Sequence, residues 1–408
     1  MRELAAGRLH MRHAIITGPL CVALVVVGCA SVERHPVPVD LMDRAEIAGM
    51  PGVRSWVDRH DPDFHADFVE SVRLAMAEEL TGDANGRPCF ASLVVSGGGA
   101  YGAFGAGFLN GWTEAGTRPT FNLVTGISTG ALIAPFAFLG PHYDAELERL
   151  YSGVRNRDIF SVRSPFLMPS RGSVAKSTPL ERLIERTVTD DLIDRIAVEH
   201  SRGRRLYVAT TNLDAQRLVV WNMGAIATSS SPEAIALFRD VLLASASIPV
   251  AFPPVYIPVV ADGVLYDEMH VDGGLVAQFF LWGALVDTTD AIRELRLDPT
   301  LGQEATIHII RNDKMGPAPE NVGPGLVPIA TRSISTMIKS VATADLLRIR
   351  RFGDENGPII RYVGIPEDFD IGEELGFNPA QMQRLFDLGR EMALSGDSWR
   401  SEPPVGWN

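Results

Sequence analysis

The sequence predicts an α/β fold built on a central, mostly parallel sheet. Short apolar segments typical of buried strands alternate with longer segments of helical period along the 408 residues. Such alternation is the pattern of helices layered on a sheet. A second observation is the Gly-x-Ser-x-Gly at residues 126–130, which lies between a strand-forming and a helix-forming stretch. The composition, 46% hydrophobic and 21% charged, fits a globular protein with a large core.

The N-terminus predicts a bacterial lipoprotein signal. Basic residues precede an apolar run at residues 14–27, which is too short to span a bilayer and suits a signal-peptide core. The run ends in Val27-Gly28-Cys29, which resembles the signal whose cysteine is lipidated and becomes the first residue. We therefore expect a signal peptide at 1–28, a lipid anchor on Cys29 and a location in the bacterial cell envelope, facing the periplasm on the outer or inner membrane. An ordinary signal peptide with an incidental cysteine is the alternative.

Charge and cysteine content narrow the classes of partner. A net charge of −13 without a basic block argues against nucleic acid and against polybasic attachment to anionic lipid. Cys21 would leave with the signal and Cys29 would be acylated, so that Cys89 stays as a free thiol. One thiol provides neither a disulfide framework nor a metal cluster. We expect no metal and no other cofactor, and nothing in the sequence identifies a protein partner.

The chain divides into four predicted segments. The signal at 1–28 is followed at 29–88 by a Pro-rich tether and a helix of roughly residues 63–80. The main domain is expected at 89–375, and a C-terminal helix and tail at 376–408. Within the main domain we predict strands at 91–96, 121–124, 306–311 and 359–364, a hairpin of 206–211 with 218–221, and helices after Gly102, from Thr178, after Ser231 and at 330–352. The helix of the C-terminal segment is expected to be capped by Asn378.

A glycine run follows the first strand of the main domain. Gly97, Gly98, Gly99 and Gly102 fit Gly-x-Gly-x-x-Gly, which would suit a dinucleotide-binding turn. The next strand ends at Thr125 without the acidic residue that would hold a ribose. Successive backbone amides at a helix N-terminus also form a cradle for an oxyanion, which is the other interpretation.

A serine turn follows the next strand. Gly126 and Gly130 flank Ser128, and small residues there allow a tight strand–turn–helix elbow that exposes the hydroxyl near a helix N-terminus. Taken alone, the motif also occurs in ordinary turns. Much later, Asp272-Gly273-Gly274 ends a short strand, and by itself it too would be an ordinary turn.

Together these motifs, in this order and with the Ala-Ser-x-x-Ile-Pro-x-x-Phe-Pro-Pro stretch at 244–254, resemble the patatin-like phospholipase family. The resemblance is specific from about residue 90 to 280. It implies a three-layer sandwich, with Ser128 as nucleophile on the elbow, Asp272 as the base that accepts its proton, and an oxyanion hole at Gly97, Gly98 and Gly99. The chain departs from the family at Tyr101, where the family often has Arg or Lys.

The implied function is a membrane-anchored serine hydrolase of carboxylic esters that acts on lipid acyl groups through a Ser–Asp dyad and an acyl-enzyme. A Ser–His–Asp esterase using His308 is one alternative, since only this histidine follows Asp272. A non-catalytic envelope lipoprotein that binds acyl chains on the same fold is the other.

Overall fold

A mixed sheet of nine strands organises the described part of the chain, which in this computed structural model comprises residues 34–77, 90–162, 173–281, 288–298, 305–371 and 376–401. The predicted signal at 1–28, with Cys29 and Cys89, lies outside these residues. The nine strands of the sheet are β1 (Arg54–Trp56), β2 (Ala91–Val95), β3 (Leu123–Gly126), β6 (Arg205–Asn212), β7 (Arg217–Asn222), β8 (Val255–Ala261), β9 (Val264–Asp272), β10 (Thr306–Arg311) and β11 (Ile359–Gly364). Strands β4 (Ser161–Val162) and β5 (Ala175–Lys176) pair with each other in a separate two-stranded sheet.

The strand order places the predicted motifs at one edge of the sheet. The order is β1-β7-β6-β3-β2-β10-β11. The five neighbouring strands β6, β3, β2, β10 and β11 are all parallel to one another. Strands β1, β7, β8 and β9 add antiparallel pairs, and β9 joins the sheet through β6. Because parallel strands end at a common edge, the residues after β2, β3 and β10 come together there.

Helices cover both faces of this sheet. They are α1 (Pro62–Ala77), α2 (Gly102–Glu114), α3 (Thr129–Leu139), α4 (Asp144–Gly153), α5 (Asn156–Ile159), α6 (Thr178–Thr187), α7 (Asp190–Ser201), α8 (Met223–Thr228), α9 (Ala234–Ser245), α10 (Thr288–Glu294), α11 (Leu326–Asn356) and α12 (Pro379–Ser395). Alternate residues of β2 enter two separate apolar cores, Leu93 and Val95 in one and Val94 in the other. The predicted α/β sandwich of three layers is therefore confirmed.

Helix α2 packs unusually closely on its neighbour. A Cβ atom at Gly107 would lie 1.9 Å from the carbonyl oxygen of Phe386 in α12, so only glycine permits this approach. Asn378 caps α12 by accepting hydrogen bonds from the amides of Ala380 and Gln381, as the sequence predicts. The C-terminal helix thus covers the helix that follows the glycine run. In the described residues no helix is long and apolar enough to cross a membrane.

The segment at 34–60, predicted to be part of a tether, is instead docked on the domain. The Arg34 guanidinium pairs with Asp214 at 2.7 Å and with Asp267 at 2.8 Å. Glu46 forms a β-bridge with Val260, and β1 pairs with β7. Proline-rich composition suggested a free linker, but these ion pairs and backbone bonds hold the segment to strands that lie more than 160 residues away in sequence.

Candidate active site

Ser128 lies in a strained elbow between β3 and α3. Its φ is 57° and its ψ is −126°, a left-handed conformation that costs free energy in a residue with a side chain. The elbow needs glycine on both sides: a Cβ at Gly126 would lie 2.4 Å from the Gly130 carbonyl oxygen, and one at Gly130 would lie 2.2 Å from that of Val95. The structure therefore places the predicted serine in the geometry of a nucleophile elbow.

Asp272 lies beside this serine although 144 residues separate them. It ends β9, pairs with Thr210 of β6, and is buried. Burial raises the pKa of Asp272 to about 7, while hydrogen bonds from the Ser128 hydroxyl and from the Gly274 amide, the latter at 2.7 Å, act to lower it. A carboxylate with this pKa can accept a proton near neutral pH.

The predicted glycine run forms a loop over the same point. Gly97 directly faces the elbow, since a Cβ there would lie 3.0 Å from the Ser128 Cβ. Gly98 has a φ of 153° and Gly99 a φ of 57°, both in the region that favours glycine. These two residues are half-exposed, and Gly102 begins α2. The loop thus brings backbone and a helix N-terminus to the serine.

Asn312, which sequence reasoning missed, fixes the shape of this loop. Its side-chain amide donates to the Ser96 carbonyl at 2.9 Å and its Oδ1 accepts from the Gly105 amide at 3.0 Å. Its own amide donates to the Ser96 hydroxyl at 2.9 Å. Asn312 therefore ties both ends of the glycine loop to the end of β10. A polar residue directly after a buried strand was the only signal in the sequence.

Gln278 is a second missed residue at the site. A Cβ at Gly97 would lie 3.0 Å from its Oε1, and its Nε2 contacts the Gly274 carbonyl at 3.4 Å. The backbone amide of Gln278 donates a hydrogen bond to the Asp345 carboxylate of α11 at 2.7 Å. Burial raises the pKa of Asp345 to about 6, opposed by the hydrogen bonds it accepts. This carboxylate holds the segment after Asp272 against the glycine loop.

His270, two residues before Asp272, and His308, the histidine considered from the sequence, have other partners. His270 is fully buried between Thr210, at 2.8 Å, and Glu268, at 3.1 Å, and burial lowers its pKa. The His308 ring lies 4.9 Å from the Trp112 ring, its Nδ1 is 3.3 Å from the Ser92 carbonyl, and burial lowers its pKa to about 3.

The position of His308 along β10 keeps it behind the site. It pairs with Leu93, four residues before Gly97. That offset corresponds to about 13 Å along the strand. The geometry therefore favours Asp272 over His308 as the partner of Ser128.

Tyr101 stands at the mouth of the glycine loop. It is half-buried, and its pKa is raised by burial and by the carboxylates of Asp313 and Glu320. The loop therefore has a neutral phenol near carboxylates where the family often has a cation.

A cavity of about 520 Å³ lies elsewhere, between residues 155–157 and 376–380, and includes none of the site residues.

One family model and two solved structures are similar to parts of this chain. Residues 93–285 match the family model for patatin-like phospholipase. Among solved structures, the fold is similar to that of VipD from Legionella pneumophila, at 15% identity over 78% of this chain and 70% of that chain, with a TM-score of 0.40. It is also similar to human GIVD cytosolic phospholipase A2, at 12% identity over 64% of this chain and 48% of that chain, with a TM-score of 0.30. A search of curated proteins finds no match. Residues 93–285 are therefore similar to a patatin-like phospholipase domain.

Proposed function

We propose that this protein is a serine hydrolase of lipid acyl esters, of phospholipase A or lysophospholipase type, that uses a Ser128–Asp272 dyad. The observation that carries the proposal is the contact between the Ser128 hydroxyl and a buried carboxylate whose pKa is raised to about 7. A serine hydroxyl is a weak nucleophile until a neighbouring base accepts its proton. Asp272 is that base.

The reaction proceeds in two steps. The Ser128 oxygen attacks the ester carbonyl carbon, its proton passes to Asp272, and the tetrahedral oxyanion receives hydrogen bonds from the amides of Gly97, Gly98 and Gly99. When the carbon–oxygen bond breaks, the leaving alcohol takes the proton from Asp272 and the acyl group stays on Ser128. Water then attacks the acyl-enzyme as Asp272 accepts its proton. The bond between the acyl carbon and the Ser128 oxygen breaks, Ser128 takes the proton back from Asp272, and the free fatty acid leaves.

The strained elbow suits this chemistry. Ser128 has its backbone amide bound to Ser245 Oγ at 3.0 Å, so its position does not depend on substrate. The half-exposed residues Gly98 and Gly99 lie at the start of the turn that leads into α2. A fixed nucleophile and fixed donors do not need to reorganise as charge develops on the carbonyl oxygen.

Incubating the purified protein with a mixed phospholipid extract, followed by lipid mass spectrometry, tests this proposal. We expect free fatty acids and lysophospholipids, or deacylated products from lysophospholipids, and none above background with Ser128→Ala. Folding of the variant is checked by its thermal unfolding. Absence of product with the wild-type protein on every acyl ester, together with absence of labelling by a fluorophosphonate, would leave the acyl-chain-binding lipoprotein as the better account.

We further propose that Cys29 carries the lipid anchor, which would place the enzyme in the bacterial cell envelope with its substrate. The supporting observation is the apolar run that ends in Gly28-Cys29. A strongly acidic protein held by acyl chains needs no electrostatic attraction to its membrane. In cells fed a labelled fatty acid, the wild-type protein should incorporate the label and Cys29→Ser should not.

A further inference from the structure

The candidate site lies at the carboxyl edge of the parallel strands, defined here by the ends of β2, β3, β6 and β10. Asp272 pairs with Thr210, two residues past the point where β6 faces Gly126. Ser128 is likewise two residues past Gly126. The dyad is thus at the level of this edge, and an element that projects beyond the edge lies on the same side of the sheet as the site.

The hairpin of β8 and β9 is one such element. Strand β9 runs antiparallel to β6 with His270 opposite Asn212, so its start at Val264 extends six residues beyond the end of β6, or about 20 Å. The tip exposes two apolar side chains, with Leu265 61% exposed beside the half-exposed Val264.

The N-terminal half of α11 is the second element. Leu326 precedes Asp345, which is at the level of the site, by 19 residues, or roughly 28 Å of helix. This half exposes Leu326 (83%), Ile329 and Met337 (53%). It is held next to the glycine loop because Lys339 pairs with Asp313 at 3.6 Å and Arg332 with Glu320 at 3.1 Å, the two carboxylates that act on Tyr101.

We call Val264, Leu265, Leu326, Ile329 and Met337 the apolar rim. The charge pattern of the α11 part of this rim differs from that of the whole protein. Residues 326–344 contain no Asp or Glu, although the chain has 50 acidic residues and a net charge of −13. The two cations in this stretch are paired within the protein, so the helix presents apolar and uncharged polar groups. That surface matches the interfacial region of a lipid bilayer and is not repelled by anionic headgroups.

The place where the N-terminal segment leaves the domain supports the same orientation. Arg34 is bound to Asp267 on β9, three residues beyond His270 and hence about 10 Å beyond the edge. Four residues separate Arg34 from Cys29. The five steps from one residue to the next reach at most about 18 Å, so a lipid on Cys29 would keep this edge close to the membrane.

We propose that the apolar rim docks this edge of the protein on a lipid bilayer, so that the entrance to Ser128 faces the membrane from which the substrate is taken. This inference deepens the proposed function and rests on it for the identity of the substrate. It also holds without the Cys29 anchor, because the rim itself contacts the lipid.

The test is flotation of the chain from residue 29 onward, with Cys29→Ser to remove any acyl anchor, on vesicles of phosphatidylcholine with and without phosphatidylglycerol. One variant carries Val264→Ser and Leu265→Ser, another carries Leu326→Ser, Ile329→Ser and Met337→Ser. Each should lower the bound fraction by about tenfold or more, the effect expected when large apolar side chains lose burial. The matched control carries Val198→Ser and Leu394→Ser, two comparably exposed residues outside the rim (58% and 44%).

The outcomes separate the docking surface from the enzyme activity. Loss of vesicle binding in the rim variants, with unchanged thermal unfolding and unchanged hydrolysis of a soluble short-chain ester, supports the proposal. If no ester is hydrolysed but the rim still controls binding, the docking surface stands and the proposed function fails. If the rim variants bind vesicles as the control does, the docking surface is wrong. A change in oligomeric state with unchanged binding would likewise overturn it and assign the rim to self-association.

Discussion

The Ser245 hydroxyl accepts a hydrogen bond from the backbone amide of Ser128 at 3.0 Å and donates one to the Ala209 carbonyl at 2.8 Å. Ser245 is fully buried at the end of α9. Ala209 precedes Thr210, which pairs with Asp272. One hydroxyl therefore connects the strained elbow at Ser128 to the strand that positions Asp272, the proposed base.

Replacing Ser245 by alanine should leave a buried amide and a buried carbonyl without this partner. We expect a loss of about 1–3 kcal/mol in the free energy of unfolding and a fall in kcat of about tenfold or more. Urea unfolding and steady-state kinetics on a soluble ester measure the two effects. Ser247→Ala is the control, because Ser247 is also buried but bonds only to the Leu243 carbonyl through its hydroxyl. Equal activity in the two variants would show that the Ser245 bond does not position the nucleophile.

Alanine substitutions at two adjacent residues of the glycine loop, Gly98 and Gly99, should differ in their effect on activity. A Cβ at Gly98 would lie 2.1 Å from the Asn312 carbonyl oxygen, whereas one at Gly99 would meet no heavy atom within 4 Å. Gly98→Ala should therefore displace the loop and lower kcat/KM by about a hundredfold or more. Gly99→Ala should carry only the backbone cost of a left-handed alanine, about 1 kcal/mol. If both variants lose the same activity, the fit of the loop against Asn312 is not what matters.

The parts of the site that depend on local backbone geometry could be predicted from the sequence. Ser128 and the loop glycines can be found because a strained turn and a close backbone approach each require particular residues at fixed spacing. Asp272 could be selected only through the family resemblance, since an Asp-Gly-Gly is also an ordinary turn. Strand and helix alternation likewise predicted the layers, although α11 is longer at both ends than the predicted 330–352.

Asn312, Gln278 and Asp345 could not be predicted, because each acts through a partner far away in sequence. Ser245 belongs to the stretch at 244–254 that carries the resemblance, but that pattern does not reveal that its hydroxyl bonds to the Ser128 amide. The docked segment at 34–60 was misjudged for the same reason. Its composition is that of a linker, and only Asp214 and Asp267, distant in sequence, turn Arg34 into an attachment point.

The raised pKa of Asp272 predicts the acidic side of the pH profile. The base must be ionised in the free enzyme, so kcat/KM should rise with pH through an apparent pKa near 7 and level off above it. Neither His270 nor His308 should titrate there, because burial lowers both pKa values. Measuring kcat/KM from pH 5 to 9 checks this. An acidic limb near pH 4, the range of an ordinary carboxyl, would contradict the buried base.

The same pKa makes a prediction for stability. In the unfolded chain Asp272 has the ordinary value of 3.8 and in the folded protein about 7, so folding favours the protonated form. The stability contributed by this group is complete below pH 4 and is lost as the pH rises through 7. Asp272→Asn should therefore raise the free energy of unfolding at pH 8, by at most roughly 4 kcal/mol, and by much less at pH 4. A Tm difference independent of pH would argue against a buried, ionised carboxylate.

The dyad itself is tested most directly by comparing initial rates of ester hydrolysis in Asp272→Asn and His308→Gln, with fluorophosphonate labelling of Ser128 as a second readout. Loss of a general base lowers the rate by about a hundredfold to ten thousandfold. We predict a loss of this size, together with slow labelling, in Asp272→Asn, and wild-type rates within a few-fold in His308→Gln, with no labelling of Ser128→Ala. Full activity in Asp272→Asn with loss of activity in His308→Gln would contradict the Ser128–Asp272 dyad.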